Sequence, residues 1–95
     1  MNWEEKADAL NALSAISILM RGRGDWYVRQ SVEIKDGSML GGGYGNGETP
    51  EEAINNHWEK MVLDLTPRQY LVLNAYGADR RAVLWNGFMW ADRIE

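Results

Sequence analysis

The sequence predicts a single α+β domain over residues 1–95, with two helices and one antiparallel sheet of about five strands in the order α-β-β-α-β-β-β. Apolar residues recur at helical spacing in two segments and alternate with polar residues elsewhere. Turn dipeptides, Asp36-Gly37 and Asn86-Gly87, separate alternating segments. With 95 residues, 45% hydrophobic and 25% charged, the chain fits one globular domain and is neither disordered nor fibrous in composition.

The first predicted element is a helix from Trp3 to Met20. Asn2 is a typical N-cap residue, and Glu5 completes a capping box three residues later. One broad apolar face would carry Ala9, Ala12, Leu13, Ile16, Leu19 and Met20. Arg21 suits the negative end of the helix dipole, and Gly22 provides a helix end.

A strand is predicted over Asp25 to Lys35, where the hydrophobic period becomes two. One face carries Trp26, Val28, Val32 and Ile34, and the other carries Tyr27, Arg29, Ser31, Glu33 and Lys35. Gln30 is the only polar residue on the apolar face. Asp36-Gly37 predicts a hairpin turn, so residues 38–44 should return antiparallel. Gly41, Gly42 and Gly43 interrupt that second strand and indicate a bulge or a close backbone approach.

The second helix begins after Thr49, with Pro50 in the first turn and Glu52 three residues beyond the cap. Its apolar face would carry Ala53, Ile54, His57, Trp58, Met61 and Val62. Three further strands are predicted at residues 70–76, 81–85 and 88–92. Asn86-Gly87 predicts a two-residue turn between the last two.

Composition excludes several kinds of chemistry. The chain has no cysteine, which excludes a disulfide framework, a thiolate zinc site and a cysteine nucleophile. His57 is the only histidine, so a multi-histidine metal site is excluded as well. No nucleophile or orienting group stands at a recognisable spacing from His57, which we interpret as a structural histidine hydrogen-bonded between helix and sheet. We expect no catalytic residue, metal or cofactor, and no enzymatic activity.

The glycine-rich run over residues 41–47 leads directly into the second helix. Such a loop can present backbone N–H groups to a phosphate. However, Glu48, Glu51 and Glu52 crowd the same helix end and would repel an anion. A bulged strand end is therefore favoured, and a small-ligand site at this loop is the weakest of the functional alternatives.

The five tryptophans and four tyrosines exceed what a small core needs. Because strand alternation places Trp26 and Tyr27 on opposite faces, at least one of them must leave the main core. Exposed aromatic residues near charged ones are typical of protein interfaces. We predict a binding surface that combines the tyrosines and the acids around the second helix entry: Tyr27, Tyr44, Glu48, Glu51 and Glu52.

Two resemblances bear on function. Residues 26–61 resemble the β-β-α unit of HicB-like domains, through a hairpin followed by Gly45-Asn46-Gly47-Glu48-Thr49-Pro50-Glu51-Glu52-Ala53. The whole chain resembles the small bacteriophage orphan proteins of the anti-CRISPR or anti-defence kind in its size, acidity, lack of cysteine and compact α+β build. This second resemblance implies a protein that binds and inhibits a host defence complex.

The leading functional expectation is thus a non-enzymatic, phage-like inhibitor whose partner is a host protein or ribonucleoprotein complex. A net charge of −4 disfavours direct nucleic-acid binding. We expect a cytoplasmic protein with no membrane partner, and a homodimer remains open. The alternative is a HicB-like antitoxin or a nucleic-acid-binding module that uses an aromatic sheet face.

Overall fold

The computed structural model describes residues 1–94 and confirms the α+β class, with two helices and two antiparallel sheets in that part of the chain. The elements are α1 (Trp3–Leu13), β1 (Ile16–Gly22), β2 (Asp25–Gln30), β3 (Val32–Asp36), β4 (Met39–Gly42), β5 (Gly45–Gly47), α2 (Pro50–Trp58), a π-helical turn (Glu59–Leu63), β6 (Tyr70–Leu73), β7 (Arg81–Trp85) and β8 (Trp90–Asp92). The three-stranded sheet has the order β1-β2-β5, and the five-stranded sheet has the order β4-β3-β6-β7-β8.

Helix α2 lies between the two sheets. Ala53 and Ile54 pack with Val28 of the three-stranded sheet. Trp58, one turn further along, belongs to the core cluster that contains Leu71 of the five-stranded sheet. The helix begins as predicted, because the Thr49 hydroxyl accepts a hydrogen bond from the Glu52 backbone N–H at 3.1 Å and Pro50 occupies the first turn. The described chain therefore has its two sheets joined through one shared helix.

The predicted helix from Trp3 to Met20 is wrong in its second half. The Asn2–Glu5 capping box forms as expected, but α1 ends at Leu13 and Ser14 adopts an extended backbone. The following segment becomes strand β1, which pairs with β2 from Ile16 opposite Gln30 onwards. Apolar residues at this spacing fit a helix or a strand. Cross-strand pairing and two β-branched isoleucines favour the strand.

The predicted single strand over Asp25 to Lys35 is interrupted at Ser31. Residues before Ser31 form β2 of one sheet, and residues after it form β3 of the other. The hairpin at Asp36-Gly37 is confirmed, since Asp36 pairs with Met39 and Gly37 has a positive φ of 62°. The chain then returns to the three-stranded sheet as β5. The predicted single sheet of about five strands is therefore corrected to eight strands in two sheets.

Three tryptophans fill the main core. Trp58 lies 5.2 Å from Trp85 and 6.2 Å from Trp90 between ring centroids, and all three pairs meet edge to face. The indole N–H of Trp90 donates to the Ala9 carbonyl at 2.7 Å, which ties β8 to α1. The aromatic excess at the C-terminal hairpin is thus mainly core. Only Phe88 at its tip is almost fully exposed, at 92%.

The loop of that hairpin is longer than the predicted two-residue turn. Strand β7 ends at Trp85 and β8 begins at Trp90, so four residues connect them. The Asn86 side chain accepts hydrogen bonds from the backbone N–H groups of Phe88 and Met89, both at 2.9 Å. This Asx-type turn replaces the tighter turn that Asn86-Gly87 favours in isolation.

Candidate protein-binding surface

The outer face of the three-stranded sheet carries an aromatic and basic cluster. Tyr27 lies at the centre of β2, directly opposite Leu19 of β1 and Asn46 of β5. Arg29 is two residues further along β2 and therefore on the same face. Arg29 is exposed and makes no hydrogen bond or ion pair within residues 1–94. Its guanidinium group is thus available to an external acceptor.

A second arginine is held against Tyr27. The Arg21 guanidinium carbon lies 4.6 Å from the centroid of the Tyr27 ring, within the range of a cation–π contact. The same group donates to the Asp25 carboxylate at 3.1 Å and to the Asn46 side-chain oxygen at 2.7 Å. These contacts connect all three strands of the sheet. They fix the orientation of Arg21 and leave part of its positive charge at the surface.

Tyr44 reaches the same region from the segment just before β5. Its side chain is 51% exposed, and the Lys60 ammonium group donates to its backbone carbonyl and lies 5.7 Å from its ring centroid. A shallow pocket of about 200 Å³ is lined by Arg21, Tyr27, Arg29 and Tyr44. We call these four residues together with Lys60 the tyrosine–arginine patch. The structure thus brings the two predicted tyrosines to one pocket.

The predicted acids lie elsewhere. Glu48 directly follows β5, and Glu51 and Glu52 stand in the first turn of α2; all three are exposed. None of them lines the pocket between the tyrosines. Since Tyr44 precedes β5 and Glu48 follows it, the three residues of β5 lie between them and place them about 13 Å apart. The predicted surface therefore divides into an aromatic, basic end and an acidic end of the same short strand.

The glycines of β5 explain why this strand can sit so close to α2. A Cβ atom on Gly45 would overlap the Ala53 carbonyl and the His57 backbone, and one on Gly47 would lie 2.6 Å from the Ala53 nitrogen. Gly43 faces the end of the flexible Met61 side chain, and nothing lies within 4 Å of a Cβ added to Gly41 or Gly42. The close backbone approach predicted at Gly41, Gly42 and Gly43 therefore occurs instead at Gly45 and Gly47, against α2. It is this contact that places Tyr44 beside Tyr27.

Beneath the patch, a buried polar pair joins α1, α2 and β2. The Gln30 amide nitrogen donates to the carbonyls of Leu10 and Ser14, both at 2.7 Å. Its oxygen must then accept from His57 Nε2, 3.0 Å away, so the imidazole carries a proton on Nε2. The only polar residue on the apolar face of β2 thus satisfies the end of α1 and orients the histidine.

The environment of His57 keeps it neutral. The side chain is fully buried, and its Nδ1 atom has no hydrogen-bond partner within residues 1–94. Burial, and secondarily the positive charge of Lys60, lower the pKa of His57 from 6.5 to about 4. The structure therefore agrees with the interpretation of His57 as a histidine hydrogen-bonded between helix and sheet, although it is buried more completely than the sequence indicated.

The chemistry of the patch is that of recognition. Guanidinium groups bind carboxylates and phosphates, and tyrosine rings offer flat contact area with few rotatable bonds. Sequence alternation places Tyr27 and Arg29 on one face, but it predicts Arg21 at a helix end and gives no signal for Lys60. Among the described residues, no three metal-binding side chains come together, and no helix has the length and apolar character to cross a membrane.

Comparisons of the chain with protein-family models, with curated proteins and with solved structures find no match.

Proposed function

We propose that this protein is a non-enzymatic binding protein that inhibits a host defence complex, in the manner of an anti-CRISPR protein, by covering a surface of that complex with its tyrosine–arginine patch. The observation that carries the proposal is the convergence of Tyr27, Tyr44, Arg21 and Arg29 on one pocket at the open face of a sheet. Tyrosine and arginine are the residue types that dominate binding energy at protein interfaces.

The size of the pocket favours a macromolecular partner. At about 200 Å³ it is smaller than the roughly 300–1,000 Å³ of most small-molecule sites, but it can receive one side chain of another protein. Two guanidinium groups at its rim select a carboxylate, and two phenol rings add apolar contact. The preferred target is thus an acidic segment of the partner, with an Asp or Glu side chain entering between Tyr27 and Tyr44.

The acids at the start of α2 supply a second contact in this proposal. Glu48, Glu51 and Glu52 present negative charge about one short strand away from the patch. A partner with neighbouring acidic and basic regions would match both ends of β5. Exposed charges mainly govern the rate of association, whereas the aromatic residues that become buried govern the rate of release.

Site-specific crosslinking can test this surface. A photoreactive phenylalanine analogue would replace Tyr27 or Tyr44, with the same analogue at Phe88 as the matched control. Phe88 is 92% exposed and lies between β7 and β8 of the other sheet. In lysate from a bacterial host, we expect a shared protein adduct from positions 27 and 44 that position 88 does not give. Adducts from position 88 alone would contradict the assignment of the surface.

The mode of action needs a second measurement with the crosslinked partner in purified form. We expect inhibition to saturate near one domain per binding site, with the target chemically unmodified. The Arg29→Glu variant should slow association, and Tyr27→Ala should accelerate dissociation. Complete loss of target activity at a strongly substoichiometric dose would instead indicate catalysis and overturn the proposal.

A specific feature favours a second candidate, a nucleic-acid-binding module. Two tyrosines on an open sheet face, with Arg29 and Lys60 beside them, resemble the stacking platforms that bind single strands. Fluorescence anisotropy with a labelled single strand of about 16 nucleotides tests it. Binding that weakens as salt rises and is lost in Tyr27→Ala would support this candidate over a protein partner.

A further inference from the structure

A second site candidate lies on the other sheet, around a carboxylate of which one oxygen lacks a hydrogen-bond partner. Glu33 is the second residue of β3, and its neighbours Val32 and Ile34 both pack toward the tryptophan core. Glu33 therefore projects from the opposite face of the five-stranded sheet. Its Oε2 atom is buried and has no hydrogen-bond partner within residues 1–94.

The surroundings of Glu33 form a concave site. Its direct cross-strand neighbours are Gly42 on β4 and Val72 on β6, one without a side chain and one with a short side chain. A pocket of about 340 Å³ opens there, and Ser31, Asn74 and Tyr76 also contribute to its lining. This volume falls within the range of roughly 300–1,000 Å³ in which small molecules or single side chains bind.

Two observations indicate that the pocket is built to receive a donor. Buried polar atoms in proteins nearly always have a partner, because an unpaired one costs about 1–3 kcal/mol, and more when it is charged. In addition, Asn74 has a φ of 50° and is the only non-glycine residue of the described chain with positive φ. Backbone strain of this kind clusters at binding sites. Asn74 and the unpaired oxygen of Glu33 share one pocket.

The cations on this part of the protein have other contacts. The Lys35 ammonium group lies 5.6 Å from the Tyr70 ring centroid, and the Arg93 guanidinium carbon lies 4.2 Å from it. Arg80 donates to the Ala75 carbonyl at 3.2 Å. Within residues 1–94 none of them donates a hydrogen bond to Glu33 Oε2, so this oxygen can accept from an external group. A single carboxylate suits an N–H donor better than a bare metal ion, which needs several oxygen ligands.

We propose that the Glu33 pocket binds a small organic cation with N–H donors, a guanidinium or primary ammonium group, whose hydrogen bonds reach the buried oxygen of Glu33. The group can belong to a free molecule or to an arginine or lysine side chain of a partner protein. This site is separate from the tyrosine–arginine patch and opposite to it in charge. The proposal for the Glu33 pocket therefore does not depend on the proposed function.

NMR titration with methylguanidinium tests the proposal. We expect the backbone amides of Ser31, Gly42 and Asn74 to shift in a saturable manner. The Glu33→Gln variant keeps the shape of the side chain and removes its charge, so it should weaken binding by about tenfold or more. Glu59→Gln, an exposed acid on the π-helical turn, should leave binding unchanged. Tetramethylammonium, which has charge but no N–H, should not shift these amides.

Stability provides an independent check that Glu33→Gln folds. Because the change replaces a carboxylate whose Oε2 atom has no hydrogen-bond partner, the thermal unfolding midpoint of the variant should equal or exceed that of the parent. Tighter binding of a capped arginine peptide than of methylguanidinium would support a partner side chain as the ligand, and equal binding would support a free cation. The proposal is overturned if Glu33→Gln binds as the parent does, or if tetramethylammonium shifts the same amides.

Discussion

The two sheets differ in how completely their strands are buried. In the five-stranded sheet, all four residues of β6 are buried, and even the face away from the helices has a small apolar cluster of Tyr70, Val72 and Ala82. In the three-stranded sheet, β1 is exposed along nearly its whole length, and Val28 and Gly45 are the only buried strand residues. One sheet carries most of the core, and the other presents side chains to solvent.

This difference separates stability from recognition within a small domain. Free energy from apolar burial is concentrated around the tryptophan cluster. The three-stranded sheet is held by the packing of Val28 on α2, by the close approach of β5 to α2 and by the Gln30–His57 pair. Side chains on its outer face can therefore vary without loss of the core. The Glu33 pocket is the exception, because it places an unpaired polar atom on the well-buried sheet.

The largest expected difference in stability is between two variants in which one leucine of each sheet is truncated. Leu71 of β6 is fully buried, so Leu71→Ala should lower the free energy of unfolding by about 4 kcal/mol through lost burial and the cavity left behind. Leu19 of β1 is 36% exposed, and Leu19→Ala should change the free energy of unfolding by less than about 0.5 kcal/mol. Urea denaturation measures both, and similar losses would break the contrast between the sheets.

Acid should destabilise the protein through His57. Its folded pKa of about 4 lies below the value of 6.5 in the unfolded chain, so the unfolded state binds the proton more readily between these values. The stability that neutral His57 contributes to the folded state is fully present above pH 6.5 and is lost as the pH falls toward 4. The loss amounts to roughly 3 kcal/mol, at 1.36 kcal/mol for each unit of pKa.

His57→Gln provides the control for that prediction, because carboxylates also titrate as the pH falls. The parent should lose more stability than the variant between pH 6.5 and 4, measured by denaturation at several pH values. Hydrogen exchange near pH 4.5 should show β2 amides opening before those of β6, since His57 contacts Gln30 of β2. Equal pH dependence of parent and variant would contradict the buried, neutral histidine.

A smaller loss of stability is expected from adding a methyl group where β5 packs against α2. Gly45→Ala adds a methyl group against the Ala53 carbonyl and the His57 backbone, which should cost about 2 kcal/mol. Gly41→Ala is the matched control, because nothing lies within 4 Å of its added Cβ and its backbone is compatible with alanine. That variant should be neutral or slightly stabilising. Equal denaturation midpoints for the two variants would show that β5 can withdraw from α2 without cost.

Local sequence signals predicted the parts of the fold that local physics determines. The capping residues Asn2 and Thr49 begin helices as expected, and Asp36-Gly37 forms its hairpin. The end of α1 is not predicted because the apolar residues among 16–20, Ile16, Ile18, Leu19 and Met20, have a spacing that fits both periods. Strand β2 follows after a short turn, and pairing with β2 makes this segment a strand and not a helix. The only local sign of the switch of sheet at Ser31 is Gln30, the one polar residue on the apolar face of the predicted strand.

The candidate site was predictable to the same degree. Alternation along β2 places Tyr27 and Arg29 on one face, and Tyr44 was selected as a spare aromatic residue. A helix over residues 14–20 cannot place Arg21 on this face; only strand β1 does. The separation of the acids from the tyrosines depends on where β5 pairs, which three residues rich in glycine do not indicate. The unpaired oxygen of Glu33 is likewise a product of tertiary packing.

The smallest expected loss of stability comes from a substitution in the hairpin between β7 and β8. Gly87 has a φ of 103°, a conformation that a β-branched residue adopts only with strain, so Gly87→Val should cost about 1 kcal/mol. Space is not the reason, because nothing lies within 4 Å of an added Cβ. Phe88→Ala is the control, since that side chain is 92% exposed and should be neutral. Because Trp85 and Trp90 flank this loop and pack on Trp58, tryptophan fluorescence during denaturation reports the change directly. An unchanged midpoint in Gly87→Val would show that the loop relaxes freely and that the tryptophan core does not depend on its geometry.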